Sequence, residues 1–425
     1  MAECRLLTTA HYLDMRPLMR TIVLAKPSWG DLVTMREMLV TGAFEFMVDN
    51  APGIVQLGNA AHTDEQRALV EHIRHRLVAG GNASLINDAQ WGTFRNVLHW
   101  AANVGQDMVV ELLLNVPGLD VNARDCIQLT PLHKAAIWGH VAIVRLLLQA
   151  PEIDVNGNHP MNETPLHTAT SGGRTEVVDT LLSCPGVDIN ARDDAQMTPL
   201  HRAAFHGHVD VVRRLLAVPG VDASTRDEDQ MTPLHAAAIG GYPGVIRSLL
   251  RVPGIDVNAR DAIGMTPLHS AVVVERSDAA DELLQAPGID VNALTSDHMT
   301  ALHRAVIWQR VHVVASLVKA PGIDANACDG SGRTPLHWAA YLPRGDIVEL
   351  LLRAPLVNVN ARDTEGKTPL HHAVSEQHAQ VVALLLHAPG ADVNVRDNRQ
   401  MTPLDVAAHT GAHRGIMDLL MTTRG

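Results

Sequence analysis

Histidine is the residue with which this sequence could do most chemistry: there are 24 of them among 425 residues. A neutral imidazole can bind zinc or take up a proton near pH 7. His201, His206 and His208 lie close together, yet no Cys or carboxylate joins them at the spacing a zinc site needs. His72 and His75 share one face of an expected helix and read as solvated. Cys4, Cys126, Cys184 and Cys328 are far apart and form no C-x-x-C pair. They read as reduced thiols, not as a disulfide frame or a zinc site. G-x-x-x-x-G-K, H-E-x-x-H and G-x-S-x-G are all absent. Asp188, Asp222 and Asp256 recur at a fixed interval, which marks architecture and not a catalytic pair. The expectation is a non-catalytic chain without metal or cofactor.

Most of the histidines belong to a period. His99, His133, His167, His201, His235, His269, His303, His337 and His371 are each 34 residues apart, and Asp405 takes the tenth place. Around His133 the residues state what such a unit is. Thr130 suits a helix N-cap, and Pro131 suits the first helical position, where its missing N–H costs nothing. Leu132, Ala135 and Ala136 give a short helix with a small face, and Gly139 ends it with positive φ. A second helix follows, with Val144, Leu147 and Leu148 inward, until Pro151 stops it. One such pair cannot bury its apolar side alone, so neighbouring copies must complete the core.

These features resemble the ankyrin repeat: T-P-L-H-x-A-A, then G-H, V-V-x-x-L-L and D-V-N-A-R-D, from about residue 82 to 425. The resemblance implies an all-α solenoid of about ten stacked helix pairs, with hairpin-like finger loops and a concave face lined by the first helices. The unit at 397–425 would act as the C-terminal cap. The family's usual period is 33, and the extra residue here sits in the P-G-I-D-V-N link, as at Pro253 to Asn258. Departures are confined to special positions. Gly264, Gly332 and Gly366 occupy the finger tip, but Gln128, Asn162, Gln196, Gln230, His298 and Gln400 replace that glycine elsewhere. A side chain at positive φ is strained by about 1–2 kcal/mol, so those tips are expected to fold differently. Glu275, Gln309, Pro343 and Gln377 replace the glycine that ends the first helix, so the units from about 262 to 395 are expected to be looser.

Residues 1–81 do not keep the period. Thr63 to Val78 reads as a helix with a Thr63/Gln66 capping pair, and residues 30–40 resemble the second helix of a unit. One reading is an atypical helical cap over the first repeat. Another follows from Leu6, Leu7, Tyr12, Leu13, Asp14, Leu18, Arg20, Lys26 and Trp29, which resemble an F-box, although its opening Leu-Pro is missing and its Trp is one place late. That resemblance implies a ubiquitin-ligase adaptor docked on residues 6–29, with the repeats holding the substrate. Only four of the 34 Lys and Arg residues are Lys, which fits this reading without requiring it.

In ankyrin proteins the partner is read by positions the scaffold leaves free. The residue before the capping Thr is Leu129, Met197, Met231, Met265, Met299 or Met401 in six units. The free positions of the first helix hold Trp138, Phe205, His206, Ile239, Trp308, Trp338 and Tyr341, with Arg202 and Arg304 beside them. The Met residues are either stacking filler or an adaptable apolar strip, and Trp, Tyr and Arg are common interface anchors. Arg124, Arg192, Arg226, Arg260, Arg362 and Arg396 each precede an Asp and read as a local ladder. The partner expected is therefore a protein, bound by a monomer along fingers and concave face. A net charge of −12 argues against nucleic acid or an anionic membrane as the partner. No apolar run reaches the length of a membrane helix, and no signal pattern opens the chain. The expected location is cytoplasmic, with the nucleus or delivery into a host cell left open.

Overall fold

The computed structural model describes residues 97–422, apart from 117 and 160. The expected cap over 1–81, the F-box-like stretch at 6–29, His72, His75 and Cys4 lie outside the described residues. Those described contain twenty helices and no strand, arranged as helix pairs in two compact units, Met1–Asp194 and Ala195–Gly425. The first unit holds α1 (Val97–Val104), α2 (Asp107–Leu114), α3 (Pro131–Trp138), α4 (Val141–Leu148), α5 (Pro165–Ser171) and α6 (Thr175–Leu182). The second begins with α7 (Pro199–His206), α8 (Val209–Leu216), α9 (Pro233–Gly240), α10 (Pro243–Leu250), α11 (Pro267–Val273), α12 (Ser277–Leu284), α13 (Ala301–Ile307) and α14 (Val311–Val318). It ends with α15 (Pro335–Tyr341), α16 (Gly345–Leu352), α17 (Pro369–Ser375), α18 (Ala379–Leu386), α19 (Pro403–Thr410) and α20 (Arg414–Thr422). Within each unit the first helices of successive pairs pack in one row and the second helices in another.

The recurrent letters explain the stacking. Each first helix from α3 to α19 starts at a Thr N-cap with extended backbone, and all but α13 place Pro just inside it. Leu132, Ala135 and Ala136 are fully buried on α3, as are Val144 and Leu147 on α4. Burying one Leu contributes about 1.5–3 kcal/mol, and only a neighbouring pair provides the covering surface. The link asparagines tie pairs together through both ends of the amide. Asn258 donates from Nδ2 to the Gly288 carbonyl and accepts from the Asp290 N–H on Oδ1, each at 2.8 Å. The expected arginine ladder exists, but its acceptors are carbonyls: Arg226 donates to Gln230 O and Arg260 O, and Arg362 to Gly366 O and Arg396 O.

The finger tips correct the expectation from strain. Gln128, Asn162, Gln196, Gln230, His298 and Gln400 all adopt φ between 57° and 66°, in the same left-handed region as Gly264, Gly332 and Gly366. These tips therefore do not fold differently. Asp227 shows why: its carboxylate Oδ1 accepts from the Asp229 and Met231 N–H groups, while its own N–H and carbonyl bond to Met231 O and Gln230 N–H. Hydrogen bonds to a charged acceptor are worth about 1.5–3 kcal/mol each, so two of them outweigh one strained residue. At the ends of first helices, Glu275, Gln309 and Gln377 likewise take positive φ. Proline cannot, and before Pro343 the chain leaves α15 with Leu342 extended.

Candidate partner-binding face

The periodic histidines are structural, and their two ring nitrogens do different work. At the start of α7, the Thr198 N–H donates to His201 Nδ1 (3.2 Å), and Thr198 Oγ1 accepts from the His201 N–H. A nitrogen that accepts from an amide carries no proton, so the proton sits on Nε2. That nitrogen lies 3.2 Å from the Met231 carbonyl, thirty residues on, and donates to it. His235, His269 and His371 reach Met265, Met299 and Met401 in the same way, and His303 and His337 reach Arg333 and Lys367. Burial holds these rings neutral: it depresses His133 to about 3 and His235, His269 and His337 to about 4. Asp405 reproduces the capping half of the motif in the last pair, where Oδ2 accepts from the Thr402 N–H.

The histidine bond also fixes what the methionine position can offer. Its carbonyl is taken by the preceding pair, and its N–H by the finger carboxylate at Met231, Met265 and Met401 and by the Thr295 hydroxyl at Met299, so only the side chain is left to a partner. Met197 and Met265 are buried at 5% exposure, whereas Met231 and Met299 are half-buried. Ile239 is also buried, on α9. Among the described residues no group of three His, Cys, Asp or Glu could hold a metal ion, and His206 and His208 stack ring on ring 6.1 Å apart.

Each finger carboxylate has a second face. Asp125 Oδ2 meets Lys134 Nζ at 2.9 Å, Asp329 Oδ2 accepts from Trp338 Nε1 at 2.9 Å, and Asp363 Oδ2 accepts from His372 Nε2 at 2.8 Å. In all three the partner is the residue just after the periodic histidine, nine positions beyond the Asp. Where Thr295 replaces the Asp, the carboxylate moves to Asp297, and Arg304 grips it through two bonds of 2.9 and 2.7 Å. Where His159 replaces it, Glu163 occupies the methionine position and accepts from His159 Nε2 at 2.9 Å. This nine-residue pairing is visible in the sequence as a recurring Asp and donor, and it ties Trp338 and Arg304, both expected to face the partner, to a finger carboxylate of the chain itself.

A second missed device lies at the start of the second helices. Arg174 Nε donates to the Ile137 carbonyl, Arg276 Nε to Ile239 and Arg310 Nη2 to Val273, each 37 residues back. These bonds satisfy carbonyls near the ends of the preceding first helices, which have no partner within their own helix.

The remaining candidates gather on the second unit, except Trp138. That residue is exposed on α3, with Nε1 donating to Asn103 Oδ1 at 2.8 Å. Arg202 and Phe205 are half-buried on α7, and His206 is exposed with Phe205 edge-on to it. On α15, Tyr341 is 48% exposed and stands edge-on to Trp338 at 6.4 Å. The Arg333 guanidinium lies 5.3 Å from the Trp338 ring centroid, and Arg310 lies 6.0 Å from that of Trp308. Aromatic rings held by cation–π contact and by an indole hydrogen bond present apolar area at little further ordering cost.

A family model described as ankyrin repeats (3 copies) matches the chain at residues 60–159, 98–193, 153–227, 200–295, 246–328, 287–363 and 346–425. No curated protein matches the chain.

Proposed function

We propose that this chain, which belongs to the ankyrin-repeat family, is a non-catalytic interaction protein that grips a partner protein on the first-helix side of its second unit. Ankyrin repeats generally serve as protein–protein interaction modules. The observation that carries the reading is the pair of Trp338 and Tyr341 on α15, with Arg333 of the preceding finger over the Trp338 ring, together with Trp308 at the end of α13 beside Arg310. Phe205, His206, Arg202, Met231 and Met299 extend the same set of positions along the unit, and Arg304 borders it. Trp138 belongs to the first unit and stands as a separate candidate. Among the described residues no helix is long and apolar enough to cross a membrane.

The test is binding by the full chain and by its Trp308→Ala and Tyr341→Ala variants, using proteins captured from cell lysate and then purified. A central aromatic anchor is worth about 2 kcal/mol or more, so each variant should weaken its partner at least tenfold while melting near the parent temperature. Undiminished binding by both variants would remove these aromatic rings from the interface. A second reading, a ubiquitin-ligase substrate receptor, is supported only by the F-box-like residues 6–29. It requires that deleting those residues abolish recovery of a ligase adaptor while proteins held by the repeats remain.

A further inference from the structure

Among the described finger carboxylates one is both partly exposed and without the usual donor. Seven pairs carry the Asp at the finger position, and six of these residues are buried to 7% exposure or less: Asp125, Asp193, Asp227, Asp329, Asp363 and Asp397. Asp261 alone is half-exposed. Its Oδ1 does the usual work, accepting from the Ile263 and Met265 N–H groups at 3.0 and 2.8 Å. The donor that should meet its other oxygen is missing. The residue in the place of Lys134, Trp338 and His372 is Ser270, whose short side chain is fully buried and whose Oγ has no hydrogen-bond partner.

Neighbouring pairs do not fill the gap. On one side the equivalent residue is Ala236, small and buried. On the other, the fork of Arg304 is committed to Asp297. Arg260 precedes Asp261 but stands exposed. Burial raises the Asp261 carboxyl above its usual range, and the negative charge of Asp229 raises it further; among the described residues no Lys or Arg forms an ion pair with it. At Asp227 and Asp397 the residue nine positions on is Ala236 and Val406, neither of them a donor, but both carboxylates are buried at 3% exposure.

We propose that Asp261, to which the buried Ser270 nine residues on supplies no donor, is a receptor for a lysine or arginine side chain presented by the partner protein. The inference rests on the reading of this face as protein-binding and names what one part of it recognises. The geometry is the one the chain already uses internally, with an ammonium at 2.9 Å from Oδ2 as in the pair of Lys134 and Asp125. Asp229 on an adjacent finger favours the same charge. Ile263, 45% exposed at the tip that Asp261 holds, gives the apolar stem of such a side chain a surface to lie on.

The test uses the full chain and a random dodecapeptide library displayed on phage, with enriched peptides synthesised and titrated by fluorescence polarisation. Three chains are compared: parent, Asp261→Asn, which keeps the Oδ1 acceptor, and Ser270→Lys, which supplies the donor from within. The expected result is a fixed Lys or Arg among enriched peptides. Affinity should fall at least tenfold when that residue becomes Met, and equally on either variant. The Ser270→Lys chain should melt no lower than the parent. Peptides without a fixed basic residue, or binding undiminished on Asp261→Asn, would overturn the receptor. If such peptides are instead lost on Tyr341→Ala or Trp308→Ala, the face is an interface and only the receptor falls. A parent chain that enriches no peptide lacks the receptor as well.

Discussion

In most pairs a single histidine makes two ring bonds, and only a neutral ring can make both. His235 accepts from the Thr232 N–H on Nδ1 and donates from Nε2 to the Met265 carbonyl, both out of reach of water. Replacing it with Ala leaves a buried donor and a buried acceptor unsatisfied, at about 1–3 kcal/mol each. His235→Ala should therefore lower stability by about 2–5 kcal/mol in urea unfolding. Asp405 makes the capping bonds alone, so Asp405→Ala should cost about 1 kcal/mol, and equal losses at the two sites would show that the inter-pair bond carries nothing. The role of these residues was legible because T-P-L-H repeats at a constant interval. The donors after the histidine were less legible, since a Lys or Arg letter does not say whether its charge is spent within the chain. Lys134 is paired to Asp125 and Arg304 to Asp297, and only the structure separates them from an exposed ring such as that of Tyr341.

At the scale of an element, the finger shows a local rule outvoted by its surroundings. Glutamine at φ 61° in position 230 reads as a defect by itself. Together with the bonds that Asp227 makes to Asp229 and Met231, it is an ordinary tip under modest strain. The strain is still present and should be recoverable. Gln230→Gly removes about 1–2 kcal/mol of left-handed strain and adds about 0.5–1 kcal/mol of chain entropy. The net expectation is a gain of about 0.5–1 kcal/mol, read as a higher urea midpoint with an unchanged slope. Asp227→Ala should do the opposite and lose at least about 2 kcal/mol, because two N–H groups lose a charged acceptor. A destabilised Gln230→Gly chain would mean that the Gln230 side chain makes contacts worth more than the strain. The same logic marks the limit at Pro343, where no network can impose positive φ and α15 stops at Tyr341.

Over the whole molecule the repeated histidine turns a local property into a dependence of stability on pH. An unfolded histidine titrates near 6.5, while burial holds His133 at about 3 and His235, His269 and His337 at about 4 in the fold. Burial also lowers His99, His303 and His371. With the folded value below the unfolded one, the stabilisation is fully present above about pH 6.5 and is lost as pH falls from there toward about 4. At pH 5 a ring held at about 4 has forfeited roughly 2 kcal/mol relative to neutral pH. Carboxylates work in the same direction only lower down, since Asp363 and Asp346 are depressed from an already acidic value. Asp261 is raised and opposes the trend slightly. Urea unfolding at pH 7.5 and pH 5.0 should thus show a marked loss of stability before the carboxylates titrate. Because several rings contribute, His235→Gln alone should flatten that dependence only in part, whereas a stability unchanged between the two pH values would mean that the rings titrate in the fold as they do in the unfolded chain. Such a finding would also contradict the capping bond, since a ring that takes up its second proton near pH 6.5 could not accept from the Thr N–H on Nδ1 below that pH.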